Sequence, residues 1–437
     1  MATNIWRGDA VAIAQVVTVT LGGTLEVGDK LIATINGKAF TYSAATTVVA
    51  TEAAAFAAAW NGLSSSVYPE FAEITAAYVS GGTVTLTADT AGKPFTVAIS
   101  TTESNDGAAD SQTFSGSTTT ANSGPNCADV AANWSNGLPA DGDAIIIGPG
   151  SSSILYGLDN HTITPASIAI SQSYTGKIGL PEVNADVATA TYREYRETYL
   201  RFGESGDATN IAVTIGSDEG QGSSRIKLNT GSSQATVVVL NSGSPAANGE
   251  RSIYWKGTHA SNSLNVSKGS VGVAALPGET ATLLELNVGF RTNNSGDSDV
   301  LLGSGVTLTD ATIKQSGGKL ILNSATSGTA TITQTDGVLM IQLGGQVGLT
   351  VAGGECIYNS TGTLGGSPIV SGNGHLNFSQ DMRAKTVTNP IDVYGSSAKI
   401  SDPFKVVSSL VIDLNQTANT ANMIIGNNLR ITRGAVA

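Results

Sequence analysis

Residues 190 to 202 read ATYREYRETYLRF and put three tyrosines and three arginines into a chain that is only 13% charged and 5% aromatic. Such a cluster could stack on sugar rings, pair with anions or form a contact surface, because Tyr and Arg are enriched where proteins meet. As a helix, Tyr192, Tyr195, Tyr199 and Phe202 would share one stripe; as a strand, Arg193, Tyr195, Glu197, Tyr199 and Arg201 would share one face. The turn-like GKIGLPEVN before it and GESGD after it favour the strand, in which charges alternate with rings and pair locally. Tyr192, Arg193, Tyr195, Arg196, Tyr199 and Arg201 are therefore the candidates for subunit contact or for stacking on a glycan. No proton-transfer partner is visible beside them, so a catalytic role is not expected.

Polysaccharide cleavage would need two carboxylates about 5 to 10 Å apart, or an aspartate-bound calcium with an arginine base. Asp218-Glu219 with Arg225, and Asp297 with Asp299, are the sets that could be bent to that purpose. Each lies in a glycine- and serine-rich turn, where Asp is at home because it bonds its own backbone. No catalytic residue, metal ligand or cofactor is assigned on this basis. His161, His259 and His375 are far apart and lack metal-ligand spacing, so they read as surface or turn residues. Cys127 and Cys356 have no C-x-x-C spacing and read as buried thiols. Arg7-Gly8-Asp9 is a three-residue coincidence.

With 34 acidic against 22 basic residues the net charge is −12, which repels a phosphate backbone or an anionic membrane. No apolar run approaches the roughly 20 residues that cross a bilayer. MATNIWRGDAVAIAQ lacks a basic segment followed by an apolar one, so synthesis and folding in the producing cell's cytoplasm are expected.

These residues must be positioned by β-structure, because 52 glycines with abundant Thr, Ser, Val and Asn describe short strands joined by tight turns. Residues 16 to 42 read as strands with a hairpin at Asn36-Gly37. In TTVVATEAAAFAAAWNGL, Val49, Ala53, Phe56, Trp60 and Leu63 form one apolar helical stripe, stopped at Asn61-Gly62. Thr83 to Ala88 and Phe95 to Ile99 read as the arms of a hairpin around DTAGKP. The polar, aperiodic stretch after them reads as a linker, giving a small α+β module over 1–102, a linker over 103–126 and a β domain over 127–437.

The last part repeats. ATIKQSGGKLIL (Ala311 to Leu322) aligns with ATITQTDGVLMI (Ala330 to Ile341), LTVAGGECIY follows two residues out of step, and LNVSKGSVGVA has the same strand, glycine turn, strand plan. A unit of this kind buries an apolar face only by stacking on its neighbours. The expected fold is mainly β, the module being followed by a right-handed parallel β-helix (β-solenoid) of about a dozen rungs, roughly 60 Å long.

The order of two strands, alanine-rich helix and GGTVTLTA…AGKPFTVAIS resembles a β-β-α-β-β module of tailed-phage virion proteins, tail-sheath and tail-tube-associated proteins among them. NWSNGLPADGD, with Trp134 and Pro139 to Asp143, is similar to the opening turn of many β-helical surface proteins, where the tryptophan caps the apolar core. The resemblance implies a non-enzymatic virion protein, a spike, fibre or capsid decoration. Its module would bind other virion proteins and its rod would face a host-surface glycan. Homo-oligomers, usually trimers, are implied by the same families. A glycan-depolymerising tailspike and a bacterial surface adhesin are the competing expectations.

Overall fold

The computed structural model describes residues 2–104, 111–185, 190–204, 210–216, 226–243, 249–289, 298–324, 329–415, 422–426 and 429–433. As expected, the chain is mainly β, and its largest element is a parallel sheet of many strands. The strands alternate between two ladders. One runs from β1 (Thr3–Ile5) to Leu429–Arg433 and the other from Asp159–Asn160 to Met423–Ile425, each strand pairing in parallel with its counterpart further along the chain.

Periodicity of two along each strand explains the interior. Ile145, Ile168, Val213, Val237, Leu264, Leu286, Ile313, Ile332 and Leu349 align across successive strands of the first ladder, and none is more than 2% exposed. Each such side chain contributes about 1.5 to 3 kcal/mol by leaving water, so the column is the main stabilising feature of this part. The repeat read from the sequence is a physical one: Thr312 aligns with Thr331 and Leu322 with Ile341, and Thr331 N–H donates to Ala311 O at 2.8 Å. The third copy aligns two residues short, Thr331 with Gly348.

Within Thr312–Leu322 and Thr331–Ile341 the chain turns from one ladder to the other at a corner. Gly318 and Gly337 have φ of 65° and 84° there, Gly354 before the next strand of the second ladder has 71°, and a Cβ on Gly337 would run into the Gly318 carbonyl oxygen. Gln315 and Gln334, buried beneath the corner, donate from Nε2 to the carbonyls of Gly318 and Val338 and of Gly337 and Glu355 respectively, at 2.9 to 3.1 Å. Carbonyl groups turned out of the ladder by the bend thus keep a donor.

The first strand is an unexpected member of this stack. β1 pairs with β9 (Ala144–Ile147), and Trp6 meets Trp134 edge-on with ring centroids 5.0 Å apart. Trp134 therefore sits, as expected, at the end of the apolar column, its Nε1 donating to Ala128 O at 2.7 Å. The expected boundary at residue 1 is corrected accordingly: Thr3–Trp6 lies with the parallel stack, and the α+β part is looped out between it and β9.

That part has its own apolar core. β2 (Val16–Gly22), β3 (Lys30–Ile35), β4 (Lys38–Ser43), α1 (Val49–Asn61), β5 (Ile74–Ser80), β6 (Thr83–Ala88), β7 (Ala98–Thr102) and β8 (Thr113–Thr120) follow in chain order. They form two antiparallel sheets, β5-β6-β2-β8 and β4-β3-β7. Asn36 and Gly37, at φ 53° and 72°, turn β3 into β4 as their types require. Ala53, Phe56 and Trp60 of α1 are at most 2% exposed, and the helix ends at Gly62.

Two expectations fail here. The hairpin around DTAGKP does not form: β6 pairs with β5 and β2, whereas β7 pairs with β3 in the other sheet. The backbone of Phe95 is taken instead by the side-chain amide of Gln15, which accepts from Phe95 N and donates to Phe95 O at 3.0 and 2.8 Å. The stretch read as a linker, 103–126, contains β8, paired with β2 along its length. Its burial pattern is nearly all exposed, and an unburied strand shows no apolar alternation in its sequence. The two ends of the looped-out part meet: Ile13 N donates to Ser123 O at 2.8 Å and Ser123 N to Ile13 O at 3.3 Å.

Candidate functional site at the junction

The Tyr/Arg stretch lies on an arm that leaves the stack. Ser167 aligns with Ala212, a far longer turn of chain than the step from Thr312 to Thr331. Within it Tyr192–Arg193 pairs antiparallel with Val183–Asn184, and Leu200–Phe202 then rejoins the second ladder. The expected strand through Tyr192 to Arg201 is therefore two short pieces. The intervening residues leave the ladder because Glu194 turns back on its own backbone, its Oε1 accepting from Tyr195 N and Arg196 N at 3.0 and 3.1 Å.

Glu194 is the hub of the arm's polar contacts. Arg196 donates to it through Nε at 2.7 Å and Nη2 at 2.9 Å, and Asn184 Nδ2 adds a third side-chain bond at 3.0 Å. Arg196 also reaches across to the α+β part, donating from Nη1 to Pro94 O at 3.1 Å and approaching Glu73 Oε2 at 3.6 Å. Tyr192 Oη donates to Glu73 Oε1 at 2.6 Å and accepts from Arg196 Nη2 at 2.8 Å, while Lys93 Nζ lies 2.6 Å from the same Glu73 oxygen. Arg196 rests over the Tyr195 ring at 4.9 Å, and Tyr195 packs on the α+β core. Asn36 Nδ2 donates to Arg193 O at 3.0 Å, so the β3–β4 turn joins the same contact.

Two carboxylates and two cations, all largely out of water, thus balance one another. Burial raises the Tyr192 and Tyr195 phenols far above their ordinary range, and the neighbouring carboxylates act in the same direction. Both stay neutral, Tyr192 bonding through its hydroxyl to Glu73 and Arg196 and Tyr195 packing through its ring. A cleft of about 410 Å³ borders this contact, lined in part by Phe95, Tyr156, Asp159, Tyr195 and Arg196.

The remaining candidates face elsewhere. Tyr199 is buried, with the Lys256 ammonium 4.0 Å and the Lys227 ammonium 5.1 Å from its ring centroid. Lys227 is held by Glu182 at 2.7 Å and Lys256 lies 3.5 Å from Glu279. Arg201 pairs with Asp159 at 3.3 Å and with Glu204. Beside them runs a polar groove of about 400 Å³ lined by Glu182, Arg193, Glu204, Asn229, Lys256 and Glu279. With Tyr192 and Tyr199 at 5% and 1% exposure, the rings are spent on packing within the chain, and Arg193 is the candidate left exposed at the groove.

Glu73, Lys93 and Asn36 carry as much of the junction as Tyr192 and Arg196, yet their spacing from the arm in sequence offers no signal. Asp218, Glu219, Arg225 and Asp297 lie outside the described residues, and Asp299 pairs with Arg251 at 2.8 Å. Both cysteines are buried free thiols, as expected, and burial pushes Cys127 up to about 11. Among the described residues no helix is long and apolar enough to cross a membrane. No protein family, curated protein or solved structure compared with the chain matches it.

Proposed function

We propose that the chain is a structural protein of a tailed-phage virion. The α+β part docks to other proteins of the particle. The parallel stack, taken as a right-handed β-helix, projects outward to meet the host surface, in a homo-oligomer that the families it resembles make a trimer. The observation that carries the proposal is the first ladder, paired without a break from Thr3–Ile5 to Leu429–Arg433 and backed by one apolar cluster from Ile145 to Ile412. A stack of this kind resists bending because every rung is bonded to the next, and length with stiffness is what a spacer needs. The ion-paired junction supports the same reading, since a docked base transmits its orientation only through a fixed joint.

Mass spectrometry and imaging of purified virions test it. The protein is expected in the particles, at a copy number matching the symmetry of its location. Finding it instead in envelopes of uninfected cells would favour the adhesin. The polar groove beside Arg193 suits a glycan, because its walls offer both charged and amide partners. Capsular or lipopolysaccharide added to the protein should bind, and Arg193→Ala should weaken that binding.

A further inference from the structure

Far from the junction, polar side chains from successive strands of the second ladder meet on its outer face. Glu355 aligns with His375 and Asn377 with Ser401. Cys356, Leu376 and Ile400, the residues between them, are all 0% exposed and fill the interior, which turns the flanking positions outward. His375 Nε2 lies 2.8 Å from Ser401 Oγ, and His375 Nδ1 lies 3.4 Å from Glu355 Oε1. Asn377 Nδ2 donates to that same Glu355 oxygen at 2.7 Å and so fixes the carboxylate.

Hydroxyl, imidazole and carboxylate in this order are the parts of an acyl-transfer relay, in which one ring nitrogen takes the hydroxyl proton and the other points at the acid. Burial lowers the His375 pKa, the Lys399 charge lowers it further and Glu355 opposes both, leaving the imidazole below its ordinary range. At neutral pH the ring is uncharged, as a general base must be.

We propose that Ser401, His375 and Glu355 form an ester-cleaving site for small acyl groups, acetyl esters above all. This activity goes beyond the structural role and does not rest on it. Ser401 Oγ bonds to the ester carbonyl carbon while its proton passes to His375 Nε2. The bond from that carbon to the alcohol oxygen then breaks, and His375 returns the proton to the departing alkoxide. Water attacks the acyl-serine, giving a proton to His375 that goes back to Ser401 as the carboxylic acid leaves. Glu355 is a positioning residue. Lys399, aligned with His375 on the next strand, supplies positive charge for the oxyanion. Ser401 is only 5% exposed, which admits an acetyl group more readily than a long chain, and Ile424, aligned with Ser401 and 49% exposed, offers the methyl an apolar wall.

The full chain treated with a fluorophosphonate probe, which reacts with activated serines, decides the matter when the labelled peptide is mapped by mass spectrometry. Label is expected on Ser401. In p-nitrophenyl acetate hydrolysis, Ser401→Ala should fall to the buffer rate and His375→Gln should lose at least about 100-fold. Glu355→Gln should lower kcat with KM unchanged, and the octanoyl ester should be the poorer substrate. A full chain that takes no label, label confined to another residue, or hydrolysis unchanged in Ser401→Ala overturns the proposal. The labelling site is read on the unaltered protein, so a variant that fails to fold leaves the test intact.

Discussion

Arg196 and Glu194 have 8% and 0% of their side chains exposed, so their pairing is worth far more to lose than a surface ion pair. Removing one partner of a buried pair strands the other and costs about 3 to 5 kcal/mol. Arg196→Ala is expected to destabilise the junction by that amount, seen as faster hydrogen exchange in residues 70–95 and 182–199 while the rungs beyond residue 300 keep their protection. Acid should do the same. Burial alone would raise the Glu194 pKa, but the Arg196 hydrogen bond and charge and the Asn184 and backbone donors outweigh it and hold it below the ordinary carboxylate range. A carboxyl depressed in the folded state contributes stability that is fully present above its unfolded pKa and lost as pH falls through the folded one. The junction should therefore loosen below about pH 4, and Glu194→Gln should flatten that part of the melting-temperature profile while lowering stability at neutral pH.

Among the elements, the glycine corner is the most exacting. Gly337 combines a positive φ with a neighbouring carbonyl where a Cβ would go. Gly337→Ala should cost about 1 to 3 kcal/mol from backbone strain alone, with the clash added, as measured by denaturant unfolding. The same corner explains how much of the fold was legible. Ala311 to Leu322 and Ala330 to Ile341 resemble each other because, on either side of the corner where Ser316 slips to Asp336, residues stack on their counterparts and meet the same neighbours. Asn36-Gly37 was legible because a tight hairpin restricts its residue types. β8 was not, since Phe114 is its one buried residue and no pattern is imposed on the others. The candidate site was half legible: the Tyr192 to Arg201 cluster stood out by composition, but Glu73 and Lys93 meet it only through the fold. Ser401 and His375 stayed hidden for a related reason, because their separation is set by the length of one rung, and rung lengths vary.

For the whole molecule, the end of the stack is the point of greatest leverage. Trp6 is 7% exposed and Trp134 3%, and together they cover the last apolar layer. Trp6→Ala should cost about 3 to 5 kcal/mol and open that layer to water, which dye binding and loss of protection in residues 144–147 would report. At the base of the looped-out part, Ile13 and Ser123 close a narrow neck. A part that leaves and returns through one such neck behaves as a cartridge. It can be exchanged for another, by evolution or by design, with the parallel stack unbroken behind it, provided the newcomer brings its own answer to the arm carrying Tyr192 and Arg196. The looped-out part and the parallel stack could then change independently of each other.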